Sequence, residues 1–210
     1  MSSVFSGTTY TREAALRLLE EWTSSVSLVR HGLAVEACTR SYGVREAERL
    51  GLALGEADAL VELYSVAGLL HDFDYERHPT AEEHPFVGVA YLRERGWPET
   101  ALHAILAHAD YTGTSRESHL DKALFACDEL AGFLTACAYV KPSKSIHEVE
   151  VTGVKKKMKD KAFARAVKRE DIVDGAALLG VSVEEHVGNC IRAMQERAEE
   201  LGLAGTGNGG

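Results

Sequence analysis

Residues 119–140 read HLDKALFACDELAGFLTACAYV, an almost wholly apolar run that no proline interrupts before Pro142. Such a stretch is expected to form a long helix, and a helix apolar on nearly all sides belongs at the centre of a fold. Outward from it, apolar residues recur at three- and four-residue steps and strand signals are nearly absent. Helices are expected over residues 11–23, 26–42 and 44–54, with Gly43 as the stop of the second. That second helix carries Leu28, His31, Val35, Cys38 and Tyr42 on one face. A longer helix ends near Phe73, and the polar stretch 74–83 reads as a loop. Pro85 and Pro98 each stand where a first helical turn accepts proline, opening helices that reach Gly96 and about Ala109. Past Pro142 the chain is more polar, with a basic helix expected over 154–168. Ser182 and Glu185 form an S-x-x-E capping box for a last helix reaching about Leu201. The expectation is an all-α protein.

Composition sets the outer bounds. The 210 residues suit one domain and are 45% hydrophobic, enough to bury a core. Basic and acidic residues number 23 and 32, a net charge of −9, which argues against a general nucleic-acid partner. No run approaches the roughly 18 apolar residues of a membrane span, so no membrane role is expected. The N-terminus lacks the basic and apolar regions of a secretory signal. Cys38, Cys127, Cys137 and Cys190 are scattered among apolar residues and read as reduced, packed thiols. A soluble cytoplasmic protein, monomer or homodimer, is the expectation.

Nine histidines are the compositional feature with chemical weight. His71-Asp72 closes an apolar helix; by itself the pair is weak, because helix ends produce it often. Asp128 is harder to dismiss. It lies within LFACDELAGFL, and a buried carboxylate costs several kcal/mol unless something positive neutralises it. A lysine, an arginine or a metal would serve. His31 sits on the apolar stripe of its own helix, where a lone histidine is more often a core residue bonded to a carbonyl. Taken together, imidazoles and carboxylates without thiolates suit Mn, Fe, Co, Ni or Zn.

The order His31, His71-Asp72, Asp128 resembles the HD superfamily of metal-dependent phosphohydrolases. The segments RHGLAVE, AGLLHDFD and ALFACDELAGF carry the resemblance, which covers about residues 26–140. It implies an HD-domain helical bundle: one domain over 1–204, with its motif core at 26–140, a C-terminal helical layer at 143–202 and a flexible tail at 205–210. In HD proteins with two metals, extra histidines between the pair and the last aspartate bind the second ion. EEHPFVGVAYL and TALHAILAHAD are similar to those segments, with His84 and His108 as the expected ligands. His78 and His103 compete for the two places. His103 and His108, five residues apart, point about 140° apart on a helix, so only one can face the site.

The resemblance implies two divalent transition-metal ions, iron or manganese first, with zinc, cobalt or nickel as alternatives. Asp72 would bridge them, with His31, His71 and Asp128 on one ion and His84 and His108 on the other. It also implies attack of metal-bound hydroxide on a phosphate ester or anhydride of a small anionic metabolite or nucleotide. Asp72 or Asp128 would orient the water. One departure stands out. Many HD hydrolases continue the pair as H-D-I-G-K, whereas here the residues are His71, Asp72, Phe73, Asp74, Tyr75. The lysine near the substrate phosphate is missing.

A replacement cation could come from VKKKMKDKAFARAVKR. Residues 155–169 hold eight basic side chains against Asp160 alone. Their plainer reading is a solvated face of an amphipathic helix. The functional one is a lid over the metal cleft, with Lys157, Lys161 and Arg165 on substrate phosphate and Lys144 nearby. An HD-type mixed-valent di-iron oxygenase acting on a small anionic substrate is the alternative function. A ligand-binding module that retains the fold without catalysis is the third.

Overall fold

The computed structural model describes residues 10–205, and among these it is all-helical. Nine α-helices follow in order: α1 (Arg12–Trp22), α2 (Val26–Leu50), α3 (Leu54–Leu70), α4 (Phe86–Glu94), α5 (Glu99–Ala107), α6 (His119–Tyr139), α7 (Val151–Met158), α8 (Arg169–Leu178) and α9 (Val183–Glu196). Short 3-10 turns lie at Asp110–Thr112 and Ile146–Glu148. Among the described residues no helix is long and apolar enough to cross a membrane. The tail expectation, apart from Gly205, lies outside the described residues.

The apolar run of residues 119–140 forms the central helix. Thirteen of the 21 residues of α6 are buried, and α2, α3, α5, α7, α8 and α9 all pack on it. Ser118 starts it with a capping box: its hydroxyl accepts from the Asp121 amide while the Asp121 carboxylate accepts from the Ser118 amide at 2.8 Å. One contiguous apolar cluster runs from Ala15 in α1 to Leu203 beyond α9. All four cysteines are buried and unpaired.

Several boundaries differ from expectation, each for a visible reason. Gly43 does not stop a helix; α2 runs unbroken to Leu50. A Cβ at Gly43 would lie 2.8 Å from Cγ of Tyr64, so the glycine admits the α3 tyrosine ring against α2. The true stop is Gly51, whose φ of 64° is the left-handed conformation that glycine adopts without cost. Helix α3 ends at Leu70, giving way to turns from His71 onward. The last helix ends at Glu196, followed by turns, and Glu185 does not complete a capping box although Ser182 does accept from its amide.

The basic helix expected over 154–168 is half realised. Helix α7 stops at Met158, and residues 161–166 form turns around one side chain. The Arg169 guanidinium donates to the carbonyls of Ala164 (2.8 Å), Val167 (2.6 Å) and Phe163. Phe163 packs edge-on against Phe133 of α6, with ring centroids 5.4 Å apart. These tertiary bonds replace the helical ones that local spacing predicted. Lys157, Lys161 and Arg165 therefore do not share one helix face.

Candidate metal centre

Each histidine and aspartate of the proposed centre comes from a different structural position. His31 lies in α2, and Asp128 is in the middle of α6. His71 and His108 occupy the C-cap positions of α3 and α5, where the helix dipole favours positive charge. Asp72 follows His71 into the turns, and His84 precedes Pro85 at the start of α4.

These six side chains converge as two groups: His31, His71 and Asp128, and Asp72, His84 and His108. In the first, Nε2 of His31 and Nε2 of His71 lie 3.0 and 3.4 Å from Oδ1 of Asp128. In the second, Nε2 of His84 and Nε2 of His108 lie 3.1 and 3.4 Å from Oδ1 of Asp72. The groups meet at Asp72, whose Oδ2 is 3.5 Å from Nε2 of His71. His78 and His103 stand apart from both, near Glu83 (3.4 Å) and Asp121 (3.2 Å) respectively.

The imidazoles are held from behind. His71 and His108 use the same local device: Nδ1–H donates to the carbonyl three residues back, Gly68 and Ile105. Nδ1–H of His84 donates instead to Oδ1 of the buried Asp74, 2.7 Å away. In the neutral imidazoles this leaves the Nε2 lone pairs turned toward the carboxylates. Nε2 of His71 is buried without a hydrogen-bond partner, an expensive arrangement unless a cation takes the lone pair. Four imidazole nitrogens and two carboxylates, with no thiolate, fit divalent transition metals.

The electrostatics agree. Burial alone would lower the pKa of His71, but the carboxylates of Asp72 and Asp128 reverse this and hold it well above the usual histidine value. His84 behaves alike: burial is overcome by Asp72 and Asp74, and its pKa rises to about 9. Burial works against charge on Asp72 and Asp128, yet the facing histidines carry both pKa values well below the ordinary carboxylate range. The cluster thus holds negative charge that attracts cations, protons included.

Sequence reading missed the surroundings. In the sequence Asp74 is no more than an acid beside the position of the missing lysine, because its partner His84 lies ten residues on, across an irregular stretch. Tyr75, in the lysine's place, sets its ring edge-on to His84 at 5.2 Å. Half-exposed Tyr111 has its pKa pushed up to about 12 by partial burial and by Asp72 and Asp74. Glu129, next to Asp128, accepts the Lys168 amide, and burial together with Asp128 pushes its pKa up to about 7. Lys161 and Arg165 are exposed in the 161–166 turns. The Lys157 ammonium sits over the Phe163 ring at 4.1 Å, and exposed Lys144 lies in a turn with φ 56°. No hydrogen bond or ion pair among the described residues joins Lys144, Lys157, Lys161 or Arg165 to the histidine–aspartate groups.

Comparison with known proteins decides the family. The model of the HD domain matches residues 29–132, a segment that includes all six converging side chains, with His31 near its start. The chain is an HD-domain protein. HD domains are in general metal-dependent phosphohydrolases, and both candidate metal groups lie inside the matched segment. No curated protein and no solved structure matches the chain significantly.

Proposed function

We propose that this HD-domain protein is a phosphohydrolase that works with two divalent ions, iron or manganese, on a small phosphorylated metabolite or nucleotide. His31, His71 and Asp128 would hold one ion and His84 and His108 the other, with Asp72 shared between the two groups. The observation that carries this reading is the position of Asp72, with one carboxylate oxygen toward His71 and the other toward His84 and His108.

Bound ions of this kind supply water activated near neutral pH and polarise a phosphoryl oxygen. The chain's own residues do the rest. Asp72 or Asp128, an acceptor only when ionised, would orient the attacking water. Tyr75 and Tyr111 form exposed aromatic edges beside the centre. Lys144, Lys157, Lys161 and Arg165 are the cations offered to the substrate anion, and the turns at 161–166 are anchored to α6 through the Lys168–Glu129 bond. Four buried, unpaired thiols are consistent with work in the cytoplasm.

The test is turnover. Protein loaded with Mn²⁺ or Fe²⁺ is expected to hydrolyse at least one of a panel of phosphomonoesters, phosphodiesters and dinucleotide polyphosphates, and metal-free protein none. Failure on the whole panel by fully loaded protein sinks the hydrolase reading.

A second reading, a mixed-valent di-iron oxygenase on a small anionic substrate, is favoured by one observation. Buried Asp74 and Tyr75 stand where many HD hydrolases have glycine and lysine respectively, so that phosphate-binding cation is gone. Oxygen uptake with substrate, together with a mixed-valent iron EPR signal, separates this chemistry from hydrolysis.

A further inference from the structure

Asp74 is fully buried, yet among the described residues its one ion-pair partner is His84, with no lysine or arginine paired to it. Both of its oxygens are spent internally. Oδ1 accepts Nδ1–H of His84 at 2.7 Å, and Oδ2 accepts the Gly88 amide in the first turn of α4, also at 2.7 Å. A Cβ on Gly88 would stand 2.7 Å from Oδ2, so glycine is required for the amide to reach the carboxylate. The carboxylate is thereby clamped between a helix N-terminus and an imidazole. Since it can only accept, it dictates the His84 tautomer with hydrogen on Nδ1 and the lone pair on Nε2.

The two halves of the centre are therefore unequal. On the Asp72 side both imidazoles are fixed from behind, His108 by a carbonyl and His84 by a charge-assisted bond that strengthens the ring as a donor. On the Asp128 side only His71 is fixed in this way, to the Gly68 carbonyl. No hydrogen-bond partner is found for Nδ1 of His31 among the described residues. The side chains differ in exposure too: 4% and 5% for His84 and His108, but 24% for His31.

We propose that Asp74 is a positioning residue for His84 that makes the Asp72–His84–His108 group the tighter of two metal sites. The site that fills second, and empties first, is the one held by His31, His71 and Asp128. This inference rests on the two-ion reading above. It gives the acidic replacement in the H-D-x-x-K pattern a role of its own: a backbone position that elsewhere precedes a phosphate-binding lysine here supports a metal ligand.

Metal-free protein titrated with Mn²⁺, with free ion followed by EPR, tests the ranking without any substrate. Wild type is expected to take up two ions in distinguishable steps. Asp74→Asn, which cannot accept both N–H groups, should weaken the tighter step by about 10- to 100-fold and leave the other unchanged. Its melting temperature and circular dichroism establish folding. Should it fail to fold, His108→Ala and His31→Ala give the same answer: the first is expected to lose the tighter step, the second the weaker. Weakening of only the looser step, or no change in either, overturns the proposal. So does loss of the tighter step in His31→Ala. If wild type binds a single ion, the two-ion reading falls with it; if wild type binds two and Asp74→Asn changes neither, only the present inference falls.

Discussion

Oδ1 of Asp72 lies 3.1 Å from Nε2 of His84, while the other oxygen of the same carboxylate faces His71. A single side chain therefore joins the two histidine groups, and its loss should not behave like the loss of a peripheral ligand. Asp72→Asn is expected to lower metal content in both halves and to reduce turnover by at least about 10²-fold, the usual scale for disabling an electrostatic catalytic group. Asp128→Asn should lower only the half that holds His31 and His71. Metal content per chain, measured after dialysis, distinguishes the two variants.

The raised histidine pKa values set a pH dependence whose sign reverses with metal. In metal-free protein His84 stays protonated up to about pH 9, against an ordinary value near 6.5. Because the folded value is the higher one, its charge pairing with Asp72 and Asp74 stabilises the fold fully below about pH 6.5. That contribution fades as pH rises through about 9. His71, also raised, adds to the same trend. In metal-loaded protein the imidazoles must be neutral, so acidification displaces the ions instead. Melting temperature is expected to fall between pH 6.5 and 9.5 without metal and to rise from pH 5.5 to 7.5 with it. A metal-free protein whose melting temperature climbs through that upper range would contradict this account.

Outside the centre, Glu36 on α2 is 1% exposed and bound by Arg12 through two bonds of 2.6 and 2.9 Å, with Arg197 at 3.4 Å. This network fastens α1 and the chain after α9 to the helix that bears His31. Arg12→Ala leaves the carboxylate buried with one poorer partner. A loss of about 3 kcal/mol is expected, read from urea unfolding, with metal stoichiometry unchanged.

His186 shows how far a sequence can separate structural from chemical histidines. It lies in an apolar helical repeat, the pattern of a structural histidine. The structure buries it fully, with Nε2–H donating to the Ala126 carbonyl at 2.8 Å and Nδ1 accepting from the Tyr42 hydroxyl at 2.7 Å. The motif order was legible for a related reason: His71, Asp72 and Asp128 interrupt apolar helices, where charge needs an explanation. The long apolar helix likewise announced the centre of the fold. Other features were not legible because they arise from contacts distant in sequence. Gly43 has the local signature of a helix stop, but the ring of Tyr64 determines its use. The periodicity of residues 155–169 is helical, yet past Met158 the helix gives way to turns whose carbonyls Arg169 gathers. Asp74 became intelligible only once His84 and Gly88 were beside it. For the structural histidine, Tyr42→Phe leaves the buried Nδ1 acceptor with only the weak Cys190 thiol at 3.8 Å and is expected to cost about 1–3 kcal/mol while leaving metal uptake intact.

Arg169 offers the sharpest test of the basic segment. Its guanidinium gathers the carbonyls of Phe163, Ala164 and Val167 and lies over the Phe133 ring, centroid distance 5.1 Å, so the turn carrying Lys161 and Arg165 is stapled to α6. Arg169→Ala removes bonds worth about 1.5–3 kcal/mol each when a charged group is involved. Even one such loss raises the local opening constant by more than about tenfold. Cleavage by trypsin after Lys161 and Arg165 is therefore expected to accelerate by at least about that factor, well before global unfolding. Lysine cannot replace the fork, because a single ammonium does not span the separate carbonyls. Arg169→Lys should accordingly resemble alanine more than wild type. If the turn presents cations to the substrate, both variants raise KM with little change in kcat. Unchanged KM despite faster proteolysis would assign the basic residues to a solvated surface instead.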